Sequence, residues 1–250
     1  MDNTWWIEWD NDIRILIDPW LTGKEIDYFS WFNTQWHRTP PLSLQEIPLF
    51  DAVLITQKYP DHFHIDTLKH LKPDRIIGPV SIKPQINKYL KSSHFESFKQ
   101  GSIPFFDSGL RLHLLPASNW FGPDFNALLL ENGKESLFIA PHSCKPGPQL
   151  SAWLDDKPPV SLMFTTFQRY ELPFWLGGPI APGLSHLLEL VHYVNPNKII
   201  STHDEPKHGS GLVPIMARII PRPDIQTIKS INILSERYLE IADYEPVRIE

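Results

Sequence analysis

The feature that most constrains this chain is the run Ala52-Val53-Leu54-Ile55-Thr56, which is short, continuously apolar and followed at once by polar residues. A strand with one wet face alternates apolar with polar side chains. A strand that does not alternate must be covered on both faces. The same unit recurs along the chain. A helix is expected over 65–71, ending before Pro73, then a buried strand at 75–77 and a helix over 83–90. Val160–Phe164 is again strand-like, and Leu184, Leu187, Leu188, Val191 and Val194 fall at helical spacing. That helix is expected to start near Gly183 and stop before Asn195-Pro196, with a buried strand at 198–201. Buried strands alternating with single helices indicate an α/β fold. No repeat or linker divides the chain, so a single domain over 1–250 is expected.

Other segments are β-rich. Trp5–Trp9 and Ile13–Ile17 are separated by Asp10-Asn11-Asp12, a turn sequence. Leu110–Leu114 alternates strictly, and Asn126–Glu131 and Leu137–Ala140 flank Asn132-Gly133, a strong hairpin signal. An aromatic loop at Tyr28–His37 closes at Pro40-Pro41, and six of the nine tryptophans fall within the first 36 residues. These rings either pack in the core, which is the default, or wall an apolar pocket or a subunit contact.

The composition narrows the chemistry. With 23 Lys+Arg against 29 Asp+Glu the net charge is −6, and no basic face is present for nucleic acid. No apolar run reaches the ~20 residues of a membrane-spanning helix. The first residues lack the basic start and apolar core of a signal peptide, so a cytoplasmic location is expected. One cysteine permits neither an internal disulfide nor a Cys-rich zinc module. Any metal must therefore sit on carboxylates and members of the pool of eleven histidines.

The richest place is the end of the strand at 52–56, where the chain runs Thr56-Gln57-Lys58-Tyr59-Pro60-Asp61-His62-Phe63-His64. Open α/β sheets place their sites at such strand ends. Asp61 and His62 there are either metal ligands, or Asp61 simply caps the following helix. The segment resembles the metal-binding signature of the metallo-β-lactamase superfamily, an apolar strand, then Thr-His-x-His-x-Asp-His, then a short helix. Ile15-Leu16-Ile17-Asp18-Pro19-Trp20 resembles the early strand of the branch containing ascorbate-phosphate lactonases and N-acyl-phosphatidylethanolamine phospholipase D. Ile199-Ile200-Ser201-Thr202-His203 resembles the late strand whose last histidine is a ligand. The resemblance implies an αββα sandwich of two mixed sheets flanked by helices.

It also implies a reduced metal site. Gln57 and Tyr59 stand where the family has its two leading histidines, and Ser118 and Asn119 where it has a third, so one of two metal sites is lost. The other set is retained as Asp61, His62 and His203. The family's bridging aspartate falls on Phe138-Ile139-Ala140-Pro141-His142-Ser143, which places His142 there, as in a similar plant and cyanobacterial lineage. One carboxylate and three imidazoles suit Zn²⁺ first, with Fe²⁺ or Mn²⁺ as alternatives. The implied activity is a metal-dependent hydrolase with a mononuclear site, acting on an ester, lactone or related small molecule, with Asp61 as general base by analogy. The alternative is a non-catalytic member serving binding or scaffolding, holding either no metal or a closed structural one.

Around this site Asn119, His208 and Gly178 are substrate-binding candidates. Gly177-Gly178-Pro179 precedes a helix and offers backbone N–H groups to an anion, or is an ordinary turn. His64 is a fifth ligand, a donor to one, or a helix-face residue. His113 is expected to face away from the core and His186 to lie on a polar helix face. Cys144 is either a thiolate near His142 or a small residue in a Pro-rich loop.

Overall fold

A computed structural model describes residues 3–9, 13–98, 102–105, 109–115 and 125–249. The chain is α/β and divides into two compact units, Met1–Lys99 with Pro206–Ile215, and Gln100–Glu205 with Met216–Glu250.

The first unit is built on a five-stranded mixed sheet, in the order Trp5–Trp9, Ile13–Ile17, Ala52–Leu54, Arg75–Gly78, His94–Ser97. The Trp5–Trp9 and Ile13–Ile17 strands pair antiparallel, and the remaining neighbours are parallel. Parallel neighbours need crossovers, and the helices Ile65–Leu71 and Lys83–Tyr89 supply two of them. Leu16, Val53, Ile55, Phe63, Leu68, Ile76, Ile82 and Ile86 form one buried cluster on one face of the sheet, and Ala52 and Leu54, which point to the other face, are buried as well, which explains the lack of alternation at 52–55. A small antiparallel sheet, ordered Lys207–Ser210, Asn33–His37, Glu25–Asp27, completes the unit.

The second unit carries a six-stranded mixed sheet, ordered Lys198–Ser201, Val160–Thr165, Ser136–Ala140, Ala127–Glu131, Leu110–Leu115, Ser102–Phe105. The 127–131 and 136–140 strands form the expected hairpin, with Gly133 at φ +85° in its loop. The helix Leu184–Val194 stops where expected, at Asn195 in the left-handed region (φ 48°) just before Pro196. Its Leu187, Leu190, Val191 and Val194 join Leu129, Phe138 and Met163 in the core. Among the described residues no helix is long and apolar enough to cross a membrane.

Three expectations are corrected. The aromatic segment is not core-packed, since Tyr28, Phe29 and Trp31 are 77%, 60% and 66% exposed, and its end, Asn33–His37, is a strand rather than loop. His186 is buried, not on a polar face, and its Nε2–H donates to the Cys144 carbonyl at 2.9 Å. His113 is largely covered, because Glu131 Oε1 lies 3.1 Å from its Nε2 and the Trp153 ring stands edge-on to it.

Candidate metal centre

Local chemistry fixes His62 first. The strand Ile13–Ile17 ends at Asp18, a fully buried residue held at φ +44°. Its carboxylate accepts the Thr56 N–H (2.7 Å) and the Thr56 hydroxyl (2.5 Å), and faces His62 Nδ1 at 2.7 Å. Burial pushes the Asp18 carboxyl above its usual range, and the His62 and Thr56 contacts oppose that rise. Thr56 Oγ1 also lies 3.1 Å from His62 Nδ1, and an ionised Asp18, which can only accept, is met by a proton on Nδ1. Nε2 then carries the lone pair, toward the Asn3 amide nitrogen (3.4 Å) and Asp61 Oδ2 (3.7 Å). A carboxylate–histidine pair of this kind orients a metal-ligating imidazole and raises its basicity.

The loop between strand and helix is organised by backbone. The Tyr59 carbonyl accepts the N–H groups of His62 (3.0 Å) and Phe63 (2.7 Å), closing the turn that presents Asp61 and His62. Gln57 is buried at the strand end and Tyr59 half-buried. Asp61 does not cap the following helix. His64 does, accepting the Thr67 N–H on Nδ1 at 3.2 Å while Nε2 faces the Lys24 carbonyl at 3.3 Å. His64 thus has both ring nitrogens engaged in structure, and burial lowers its pKa.

In the second unit, Ala140–Ser143 forms a β-turn closed by Ser143 N–H to the Ala140 carbonyl at 2.8 Å. Pro141 occupies the position such turns favour for proline, and so sets His142 at the next corner. His142 is buried, stacked on Phe125 at 4.0 Å and edge-on to His203 at 4.4 Å between ring centroids. His203 follows the Lys198–Ser201 strand in the left-handed region, at φ +63°. Its neighbour Asp204 holds that turn, accepting from Ser201 Oγ (2.5 Å), Thr166 Oγ1 (2.5 Å), Phe167 N (2.7 Å) and Gln168 N (3.0 Å). The Gln168 amide also donates to the His203 carbonyl. Positive φ at Asp18, Ser143 and His203 is uncommon for residues with side chains, and such strain concentrates at functional sites.

One ligand-capable atom from each of Asp61, His62, His142 and His203 lies within 4.8 Å of the other three. Three imidazoles and a carboxylate, with one imidazole already in the ligating tautomer, fit a divalent transition metal.

The remaining candidates have other surroundings or fall outside the described residues. Asn119 falls outside the described residues. The N–H groups of Gly177 and Gly178 donate to the carbonyls of Phe174 (3.1 Å) and Pro173 (3.2 Å), so neither is left to cradle an anion. His208 is exposed and stacks on Trp36 at 5.6 Å. Burial pushes the Cys144 thiol up to about 12, which suits a packed thiol and not a thiolate. Sequence reasoning missed Asp18 and Asp204 as orienting groups. Asp18 was signalled by its place at a buried strand end, and Asp204 by standing next to His203.

Comparison with known proteins gives the family. The sequence profile described as Beta-lactamase superfamily domain matches residues 1–136. No curated protein matches significantly in sequence. Among solved structures, a protein of Veillonella parvula DSM 2008 described as a possible metal-dependent hydrolase superposes with a TM-score of 0.71 at 19% identity, covering 97% of this chain and 94% of that one. The isothiocyanate hydrolase from Delia radicum gut bacteria gives 0.68 at 18% identity, covering 98% and 95%. Igni18, a metallo hydrolase of the archaeon Ignicoccus hospitalis KIN4/I, gives 0.65 at 15% identity, covering 98% and 94%. With its profile match spanning more than half the sequence and its fold shared across nearly the full length of these structures, the chain belongs to the metallo-β-lactamase superfamily.

Proposed function

We propose that the protein is a metal-dependent hydrolase with a mononuclear site, in which Asp61, His62, His142 and His203 hold one divalent ion, zinc in the first instance. The observation that carries this reading is the grouping of those four donors within 4.8 Å, with His62 oriented by Asp18. Such an ion would polarise a carbonyl oxygen and acidify water if bound with a coordination position left open, by three of the four donors or five-coordinate; closed tetrahedrally by all four it would be structural. The chain's own contribution is positional. Asp18 keeps the proton of His62 on Nδ1, the 140–143 turn and the Asp204 clamp present the other imidazoles, and the Asp61 carboxylate accepts a proton as general base. The substrate is an ester, lactone or related small molecule. Gln57 and Tyr59 supply no imidazole, which favours one ion rather than two.

Metal analysis of the purified protein tests this. About one equivalent of a transition metal is expected, lost in His203→Ala and kept in Gln57→Ala. Less than a tenth of an equivalent in the wild type after reloading would leave the non-catalytic reading in its place. Release of the ion by Gln57→Ala would show that the assignment of the lost site is wrong.

A further inference from the structure

The chain just ahead of the first strand lies against His62. Trp5 pairs with Ile17, and Thr4, the residue before it, ties the incoming chain to the turn that carries Asp18. The buried Thr4 hydroxyl donates to the Asp18 carbonyl at 3.0 Å and accepts the Trp20 N–H at 3.0 Å. Asn3 is thereby set beside the residue that orients His62. It is 2% exposed, and its amide nitrogen lies 3.4 Å from His62 Nε2. Asp61 Oδ2 stands 3.7 Å from that same nitrogen. Carboxamide and carboxylate thus flank the lone pair that the Asp18 contact leaves on Nε2. All of these residues belong to the first unit.

The other end of the amide is unpaired. Asn3 Oδ1 is buried and has no hydrogen-bond partner among the described residues. A buried carbonyl oxygen left this way is costly, and folded proteins keep few of them. An amide NH₂ only donates and its oxygen only accepts, and half a turn about Cβ–Cγ exchanges the two. With the Nε2 lone pair available, the present orientation is the favourable one, because the NH₂ has an acceptor. A cation on Nε2 reverses this. It takes the lone pair, repels the positive end of the amide dipole and attracts the negative end. Turning the group over then breaks only the long contact to Nε2, since Oδ1 has no hydrogen bond to lose.

We propose that Asn3 is a fifth ligand of the metal centre, its side chain turning over on metal binding so that Oδ1 rather than Nδ2 faces the ion. This rests on the metal-site reading above and adds a neutral oxygen to one carboxylate and three imidazoles. Carbonyl oxygens are ordinary ligands of divalent ions. Because no other hydrogen bond restrains the amide, it can also turn back and leave its place to a substrate oxygen, which keeps a five-coordinate centre compatible with hydrolysis.

The test uses cobalt(II) as a spectroscopic probe in the full chain, with zinc affinity measured by chelator competition. Four-coordinate cobalt absorbs visible light more strongly than five-coordinate cobalt. Asn3→Leu removes the oxygen and fills its place with apolar atoms that keep water out. Its cobalt absorption is expected to rise at least twofold over wild type, and its zinc affinity to fall at least fivefold. Asn3→Asp, which keeps an oxygen there, should retain the wild-type spectrum and bind zinc at least as tightly as wild type. An unchanged cobalt spectrum in a folded Asn3→Leu overturns the proposal. So does tighter zinc binding in that variant, the sign expected if the amide only competes for Nε2. If Asn3→Leu does not fold, Asn3→Val is read by the same criteria. Metal content measured on the same samples separates the two readings. One equivalent of zinc in the wild type with no effect of Asn3→Leu retires only the fifth ligand. Less than a tenth of an equivalent in the wild type after reloading retires the metal site, and the fifth ligand with it.

Discussion

Replacing Asp18 by Asn tests the orientation of His62 with little change of shape. The carboxylate meets three donors, the Thr56 N–H, the Thr56 hydroxyl and His62 Nδ1–H. Removing it outright with Ala orphans all three in a buried place, at about 1–3 kcal/mol each. The summed loss, about 3–9 kcal/mol, is a large part of a ~5–15 kcal/mol stability. Alanine also tolerates the φ of +44° poorly, whereas Asn enters the left-handed region readily. The amide keeps one oxygen for the Thr56 N–H and places its NH₂ where the other oxygen faced His62. Nδ1 must then accept, the ring proton moves to Nε2, and the lone pair directed toward Asp61 is lost. Restoring the ligating tautomer sets two N–H groups against each other. Outer partners of this kind are worth about 10–100-fold in metal affinity. Asp18→Asn should therefore fold and weaken zinc by that factor, measured by competition with a chromophoric chelator, with urea unfolding as the control. Zinc affinity within threefold of wild type in a folded variant would refute the tautomer argument.

Two further outcomes follow from buried carboxylates. Asp204→Ala strands four donors and should cost about 4–12 kcal/mol in urea unfolding, with His203 losing its place and zinc uptake falling with it. Retention of full metal affinity in a folded Asp204→Ala would show that its clamp does not hold the ligand. Asp27 has its folded pKa raised to about 6 from 3.8, so its neutral form favours the fold at low pH and that contribution is lost as pH rises through about 6. In the metal-free protein, Asp27→Asn should flatten the fall in stability between pH 4 and 6 and exceed the wild type at pH 7. Identical pH profiles would refute it.

Much of the fold was legible because buried strands and single helices leave patterns that depend on neighbours in sequence. The strands Trp5–Trp9, Ile13–Ile17 and Lys198–Ser201 have the expected limits, and the helix Leu184–Val194 is bounded by Gly183 and Asn195 as its pattern requires. Asp61, His62, His142 and His203 were found through motif order, and they are the residues that group in space. What escaped depended on tertiary partners. His64 and His186 look like surface or ligand candidates until the Thr67 N–H and the Cys144 carbonyl are seen to occupy them. The aromatic segment was expected inside because tryptophan usually is, yet the turn at Tyr28 (φ +60°) and the pairing of Asn33–His37 leave Tyr28, Phe29 and Trp31 exposed.

The pairing of Lys207–Ser210 with Asn33–His37 has an evolutionary consequence, because it sets Lys207 opposite His37 with its ammonium 4.0 Å from Asp61 Oδ2. Only Asp204, Glu205 and Pro206 separate His203 from the strand that begins at Lys207. If the pairing with Asn33–His37 is kept while one residue is deleted from or inserted into this link, the sequence threaded through the pairing shifts by one place. After an insertion, the inserted residue or Pro206 takes the position opposite His37. After a deletion, His208 does, and an imidazole meets Asp61 where an ammonium now stands. A change in link length, without any substitution in the strand, would then alter the charge that faces Asp61.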